Sequence, residues 1–153
     1  MNNKIKNYLL KAGWYENREV DISDCIKSFD RDNIKLTDST ISFMKEFYNL
    51  KIEFPSEDKR LKGKSIKINM DCHSAIEPKF LNKYNKIYNK TLITIAYCCN
   101  YSIIILIDEN IKFYIVSEQY ISPIGNNLEE MLNNIIHGIF NTKEFHWDEI
   151  EDF

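Results

Sequence analysis

Apolar positions in the first fifty residues recur mostly at helical spacing. Ile5, Tyr8 and Leu9 mark a helix over Asn3 to Ala12, and Gly13 suits the left-handed conformation that ends one. Arg18 to Ile22 alternates and predicts a short strand, whereas Ser23 to Asp30 is too short and mixed to assign. Thr37 or Asp38 caps a second helix with the apolar stripe Ile41, Met44, Phe47 and Tyr48. Lys51 to Phe54 alternates again and stops at Pro55, the signature of a strand leaving that helix.

Beyond Pro55 the period shortens. Ser56 to Lys64 is a charged loop, and Ser65 to Met70 then alternates with Ile66, Ile68 and Met70 on one face. Pro78 opens a helix with Phe80, Leu81, Tyr84, Ile87 and Tyr88 on one side and lysines on the other. Leu92 to Cys98, Tyr101 to Ile107 and Lys112 to Val116 are β-branched or aromatic at most positions and predict three strands. Asp108-Glu109-Asn110 joins the last two as a tight hairpin, with Asn110 as the residue able to take positive φ. Leu128 to Phe140 closes the pattern as a helix turning Leu128, Met131, Leu132, Ile135, Ile136 and Ile139 inward. The elements predict an α+β fold, a largely antiparallel sheet with helices packed on one face. All of 1–153 forms a single domain, with a core over about 4–140 and an acidic, aromatic tail over 144–153.

Composition agrees with that picture: 44% hydrophobic and 28% charged residues are the balance of a globular domain rather than a disordered chain. The net charge of −3 argues against a dedicated nucleic-acid-binding module, which is normally basic on one face. The distribution says more than the total. Residues 1–90 carry 18 Lys and Arg against 13 Asp and Glu, while 91–153 carry two lysines against ten acids, an asymmetry that suits an acidic patch for a basic partner or simply a solvated surface. The N-terminal stretch MNNKIKNYLLKAGW lacks the apolar core of a secretory signal. The longest apolar run, Ile103 to Ile107, falls far below the roughly 20 residues that span a bilayer. Both point to a cytoplasmic protein with no membrane partner. Cys25, Cys72, Cys98 and Cys99 do not read as a secreted disulfide framework, and the vicinal pair looks like buried strand packing.

Catalytic chemistry finds little support. Four glycines leave no phosphate-cradling loop. Cys72, His73, Cys98 and Cys99 could supply four zinc ligands, but neither pair has the two-to-four-residue spacing that lets two ligands converge from one turn. His73, Ser74 and Glu77 invite comparison with a zinc deaminase, and the spacing fails there too. A Cys–His nucleophile pair among Cys72, His73 and Glu77 would need a concave pocket that sequence does not show. His137 lies late on a helix, where a surface histidine complements the helix dipole. The reading is therefore of no enzyme, no cofactor and no metal.

The tail is the most unusual segment. Between Glu144 and Phe153, five carboxylates interleave with Phe145, Trp147, Ile150 and Phe153. Either the aromatics anchor a terminal strand while the acids stay wet, or rigid aromatic anchors ringed by carboxylates receive a basic partner.

Leu9-Leu10-Lys11-Ala12-Gly13-Trp14, followed by Arg18, resembles the opening L-x-x-A-G-W-x-x-x-R pattern of the third subfamily of SUKH immunity proteins. Ile41 to Ile52 is similar to that family's helix running into a strand, and 92–116, Ser122-Pro-Ile-Gly125 and Leu128 to Gly138 resemble its later half. The likeness covers 4–138 in order. The family's glycines after the second helix are Tyr48-Asn49 here, and Asn110 stands where its hairpin carries a glycine. Asn tolerates positive φ, so the fold accommodates both changes. Trp14 reads as a core aromatic behind a capping glycine and Arg18 as its stacked or ion-paired neighbour. The resemblance implies a non-enzymatic protein encoded beside a secreted or contact-delivered polymorphic toxin, which it neutralises by binding. The resemblance also implies that many such toxins are basic nucleases or other nucleic-acid-acting enzymes, a target that an acidic surface suits. The expected toxin-contacting residues are Asp108, Glu109, Glu118, Tyr120, Trp147, Asp148, Glu149, Glu151 and Asp152. A protein-binding scaffold unrelated to toxins is the alternative use of the same fold.

Overall fold

The structure, a computed structural model, describes residues 1–72, 76–118 and 120–140, together with the backbone of 145–146. Three helices come first. In α1 (Asn3–Lys11) the Asn2 side chain accepts a hydrogen bond from the Ile5 amide, Ile5 and Leu9 are buried, and Gly13 follows at φ 105°. Ser23–Arg31 forms α2, burying Cys25 and Phe29. Helix α3 (Asp38–Phe47) starts at Thr37 through a capping box in which Thr37 and Thr40 each satisfy the other's backbone amide. Its buried side is Thr40, Phe43, Met44 and Phe47, while Ile41 and Tyr48 are half-buried.

The rest is a meander. Strands β1 (Lys51–Pro55), β2 (Ser65–Asn69), β3 (Ile93–Cys98), β4 (Ile103–Ile107), β5 (Phe113–Ser117), β6 (Tyr120–Gly125) and β7 (Phe145–His146) lie in chain order, every neighbouring pair antiparallel. Helix α4 (Pro78–Tyr88) is inserted between β2 and β3, and α5 (Leu128–His137) between β6 and β7. The α+β class and the antiparallel sheet are as the hydrophobic pattern predicts.

Alternation along the strands builds two cores. Ile52, Ile66, Ile68, Ile105, Ile107, Phe113 and Ile115 face α1, α2, α3 and α5. Tyr8 meets Phe54 edge-on at 5.2 Å and Phe43 meets Phe113 at 5.6 Å, which seats α1 over one end of the sheet and α3 over its middle. Leu106, Tyr114, Val116 and Ile121 point the other way, onto Leu81 and Tyr84 of α4. Among the described residues four helices thus share one face, and α4 covers part of the opposite one.

Several local expectations change. Arg18 to Ile22 forms no strand among the described residues; it runs past the end of α3, where the Val20 amide donates to the Lys45 carbonyl at 2.8 Å. Ser23 to Asp30, ambiguous in sequence, lies within the helix Ser23–Arg31. At the β4–β5 hairpin the left-handed residue is Ile111 (φ 60°), not Asn110, because the Asp108 carboxylate gathers the Asn110 and Lys112 amides and sets the turn one position later. Helix α5 ends at Gly138 (φ 66°), which leaves Ile139 exposed rather than inward. Tyr120–Gly125 is a strand although it contains Pro123, and Pro123 lies outside the two residues of β6 that pair with β7. Cys25 of α2 and Cys72 just after β2 are joined in a disulfide with Cα atoms 6.0 Å apart. Cys98 is a buried thiol as expected, and Cys99 is exposed rather than packed.

Candidate partner-binding surface

The Gly13–Trp14–Arg18 element is built into the scaffold. Trp14 Nε1 donates to Glu46 Oε1 at 3.0 Å, and the Arg18 fork donates to the carbonyls of Glu46 and, at 2.8 Å, Tyr48. Helix ends leave carbonyls without intrahelical donors, and Arg18 supplies two of them. Asn49, next in the chain, takes φ 68° and donates its amide to Met70. The segment thereby fixes how α3 turns into β1.

The expected acidic residues separate into three groups. Asp108 is fully buried, and its carboxylate accepts from the Asn110 and Lys112 amides and, at 2.9 Å, from the Tyr114 hydroxyl. Burial, and then the Asp108 carboxylate, push the Tyr114 phenol upward, which keeps its hydroxyl a neutral donor. Asp108 therefore organises the hairpin from within, which corrects its placement on a partner-facing surface. Glu109 is half-buried and accepts from the Thr91 amide at 2.8 Å, while its own carbonyl accepts from Ser39 Oγ. Its carboxylate ties the hairpin to the segment between α4 and β3.

Glu118 is exposed in the turn between β5 and β6, at φ 50°, and half-buried Tyr120 opens β6 two residues on. Strand β7 adds to this edge, with Ile121 opposite Phe145 and Tyr120 opposite His146. The chain passes along β7 from the Ile121 side to the Tyr120 side, toward the Glu118 turn. Trp147, Asp148, Glu149, Glu151 and Asp152 lie outside the described residues.

Around Glu118 the sheet face beyond α4 is grooved, a feature sequence pattern did not reveal. A groove of about 290 Å³ has Phe80 on one wall, Ile104 and Val116 on the floor, and Glu77 and Glu118 at its edges. A second hollow of about 350 Å³ adjoins it through Ser102 and Ile104 and reaches Tyr97 and Cys99. Tyr97 and Ile104 are cross-strand partners on β3 and β4, which is why they surface side by side.

The candidate chemical groups are not assembled. The Cys72 sulfur is bonded to Cys25, so it is neither thiolate ligand nor nucleophile in this form, and His73 and Ser74 lie outside the described residues. Burial pushes the Cys98 thiol up to about 11, the opposite of an activated nucleophile. Among the described residues no group of three or more His, Cys, Asp and Glu is placed to hold a metal ion, and no helix is long and apolar enough to cross a membrane. His137 closes α5 with Nε2 2.6 Å from Glu57, in the surface position its sequence context suggests.

Comparison with known proteins adds one decisive finding. The model of the SUKH-3 immunity protein family matches residues 1–138, nine-tenths of the chain and the whole frame from α1 to the end of α5. No curated protein and no solved structure gives a significant match.

Proposed function

From the premise that the chain belongs to the SUKH-3 immunity protein family, we propose that it neutralises a cognate toxin of a polymorphic toxin system by binding it in the cytoplasm of the producing cell. It acts without catalysis, as a stoichiometric inhibitor. The toxin is a basic enzyme, with a nuclease as the leading class, because the surface that this reading assigns to it is acidic.

The observation that carries this assignment is the pairing of β7 with β6. It brings residues 145–146 to the sheet edge at Ile121 and Tyr120, two residues along the chain from the exposed Glu118. Five of the ten residues from Glu144 to Phe153 are carboxylates, and four of them, Asp148, Glu149, Glu151 and Asp152, follow in sequence the strand that makes this return. Carboxylates collected near aromatic side chains steer a basic partner and then hold it through desolvated anchors. Glu118, Tyr120, Trp147, Asp148, Glu149, Glu151 and Asp152 form this contact set, with Glu109 at its margin.

Protection of toxin-expressing cells tests the assignment. Reversing Asp148, Glu149, Glu151 and Asp152 to lysine is expected to abolish protection while the thermal melt stays that of the parent protein. Full protection by that folded variant removes the tail from the interface.

A further inference from the structure

The groove between α4 and the open part of the sheet differs from the rest of the surface. Helix α4 covers Leu106, Tyr114 and Val116 with Leu81 and Tyr84, but Ile104 and Tyr97 on the same face are only half-buried. Half-buried Phe80, in the first turn of α4, forms the near wall. An aromatic and β-branched floor of this kind takes another protein's apolar side chains more readily than it takes water.

Its edges carry a carboxylate at two separate places in the fold, and Lys79 lies 4.9 Å over the Phe80 ring at one of them. Glu77 immediately precedes α4 and Glu118 sits in the β5–β6 turn, both exposed. Lys79 approaches Glu77 at 3.6 Å, but both side chains are about two-thirds exposed, and an ion pair that wet yields readily to a competing cation. Glu118 also leads into β6, the strand that pairs with β7, so groove and edge are continuous.

We propose that this groove is a second docking element for the cognate toxin, receiving a segment in which an apolar side chain is flanked by lysine or arginine. The inference rests on the immunity reading and names the part of the surface that supplies affinity rather than steering. The apolar side chain lies on Ile104 and Val116 against Phe80, and the flanking cations reach Glu77 and Glu118. The groove's volume, just under the roughly 300–1,000 Å³ of small-molecule sites, fits one or two side chains from a protein surface.

The test uses the full chain and the purified product of the toxin gene beside its own. Ile104→Lys places a like charge on the floor and is expected to weaken binding by about 30-fold or more, as loss of a central anchor does. Glu77→Lys with Glu118→Lys leaves the core intact and is expected to weaken binding about tenfold and to flatten its salt dependence. In the parent complex, amide exchange should slow at Cys99–Ser102 and Ile76–Phe80. If Ile104→Lys does not fold by circular dichroism, the paired rim variant and the exchange pattern decide. Parent-like affinity in the folded variants, with no slowing at those amides, overturns the groove while leaving immunity intact. Absence of binding by the parent protein overturns the immunity reading itself, and the groove with it.

Discussion

Gly138 lies directly against Asp58: a Cβ at position 138 would overlap the Asp58 carboxylate and crowd the Arg60 guanidinium. Asp58 is buried and accepts from the Arg60 amide (2.9 Å), the Arg60 Nε and the Tyr101 hydroxyl (2.9 Å). Arg60 also donates to the Gly138 carbonyl and lies over the rings of Tyr101 and Phe140, at 5.5 and 5.6 Å. One buried carboxylate thereby joins the loop after β1, the β3–β4 turn and the end of α5. Gly138 also needs its left-handed φ of 66°. Gly138→Ala is expected to lower stability by about 2 kcal/mol or more, combining the left-handed penalty with displacement of the carboxylate. Urea unfolding should show the midpoint falling at unchanged slope.

The same cluster sets an acid limit. The Arg60 side chain, the Arg60 amide and the Tyr101 hydroxyl hold the Asp58 carboxyl at about 2, below its ordinary 3.8. A carboxyl whose folded value is depressed stabilises the fold above its unfolded value, and that contribution disappears as pH falls through the folded one. The stability difference between the parent and Asp58→Asn should therefore be constant at neutral pH and shrink between pH 4 and pH 2. Parallel stability curves through that window would contradict this account of Asp58.

Arg18 makes a prediction about fork geometry. Because its guanidinium serves the Glu46 and Tyr48 carbonyls together, Arg18→Ala is expected to cost about 1.5–3 kcal/mol, and Arg18→Lys to recover less than half of that. Chemical denaturation of the three proteins measures the difference. Complete rescue by lysine would show that charge, rather than the paired geometry, is what matters.

The disulfide predicts a thiol count. Alkylation of the native, oxidised protein should modify Cys99 readily and buried Cys98 only on unfolding, with Cys25 and Cys72 reacting only after reduction. Closing a loop between residues 47 apart restricts the unfolded chain by about 4 kcal/mol on the chain-entropy model, so reduction should lower the melting temperature. Four alkylated cysteines in oxidised, denatured protein would contradict the bridge.

Much of this architecture was legible in the sequence because it depends on period. The alternation of Ile66, Ile68 and Met70, and the helical spacing of Leu128, Met131, Leu132, Ile135 and Ile136, each specify an element and the face it buries. What pattern missed was set by tertiary partners. Asp108 looks like a surface acid in a hairpin until Tyr114 is seen to turn back onto it, and Arg18 to Ile22 alternates without a strand to pair with. Nothing in the spacing of Cys25 and Cys72 announces their bridge. The groove is assembled from α4, β4 and the β5–β6 turn, so no local window contains it.

Titration of the purified protein with the product of the adjacent toxin gene, by calorimetry at about 50 and 300 mM salt, addresses the central claim most directly. The account predicts a one-to-one complex with nanomolar affinity at low salt, weakening at least tenfold at high salt as the carboxylates are screened. Failure to bind at either salt would contradict immunity by direct binding, and tight binding indifferent to salt would contradict the acidic surface.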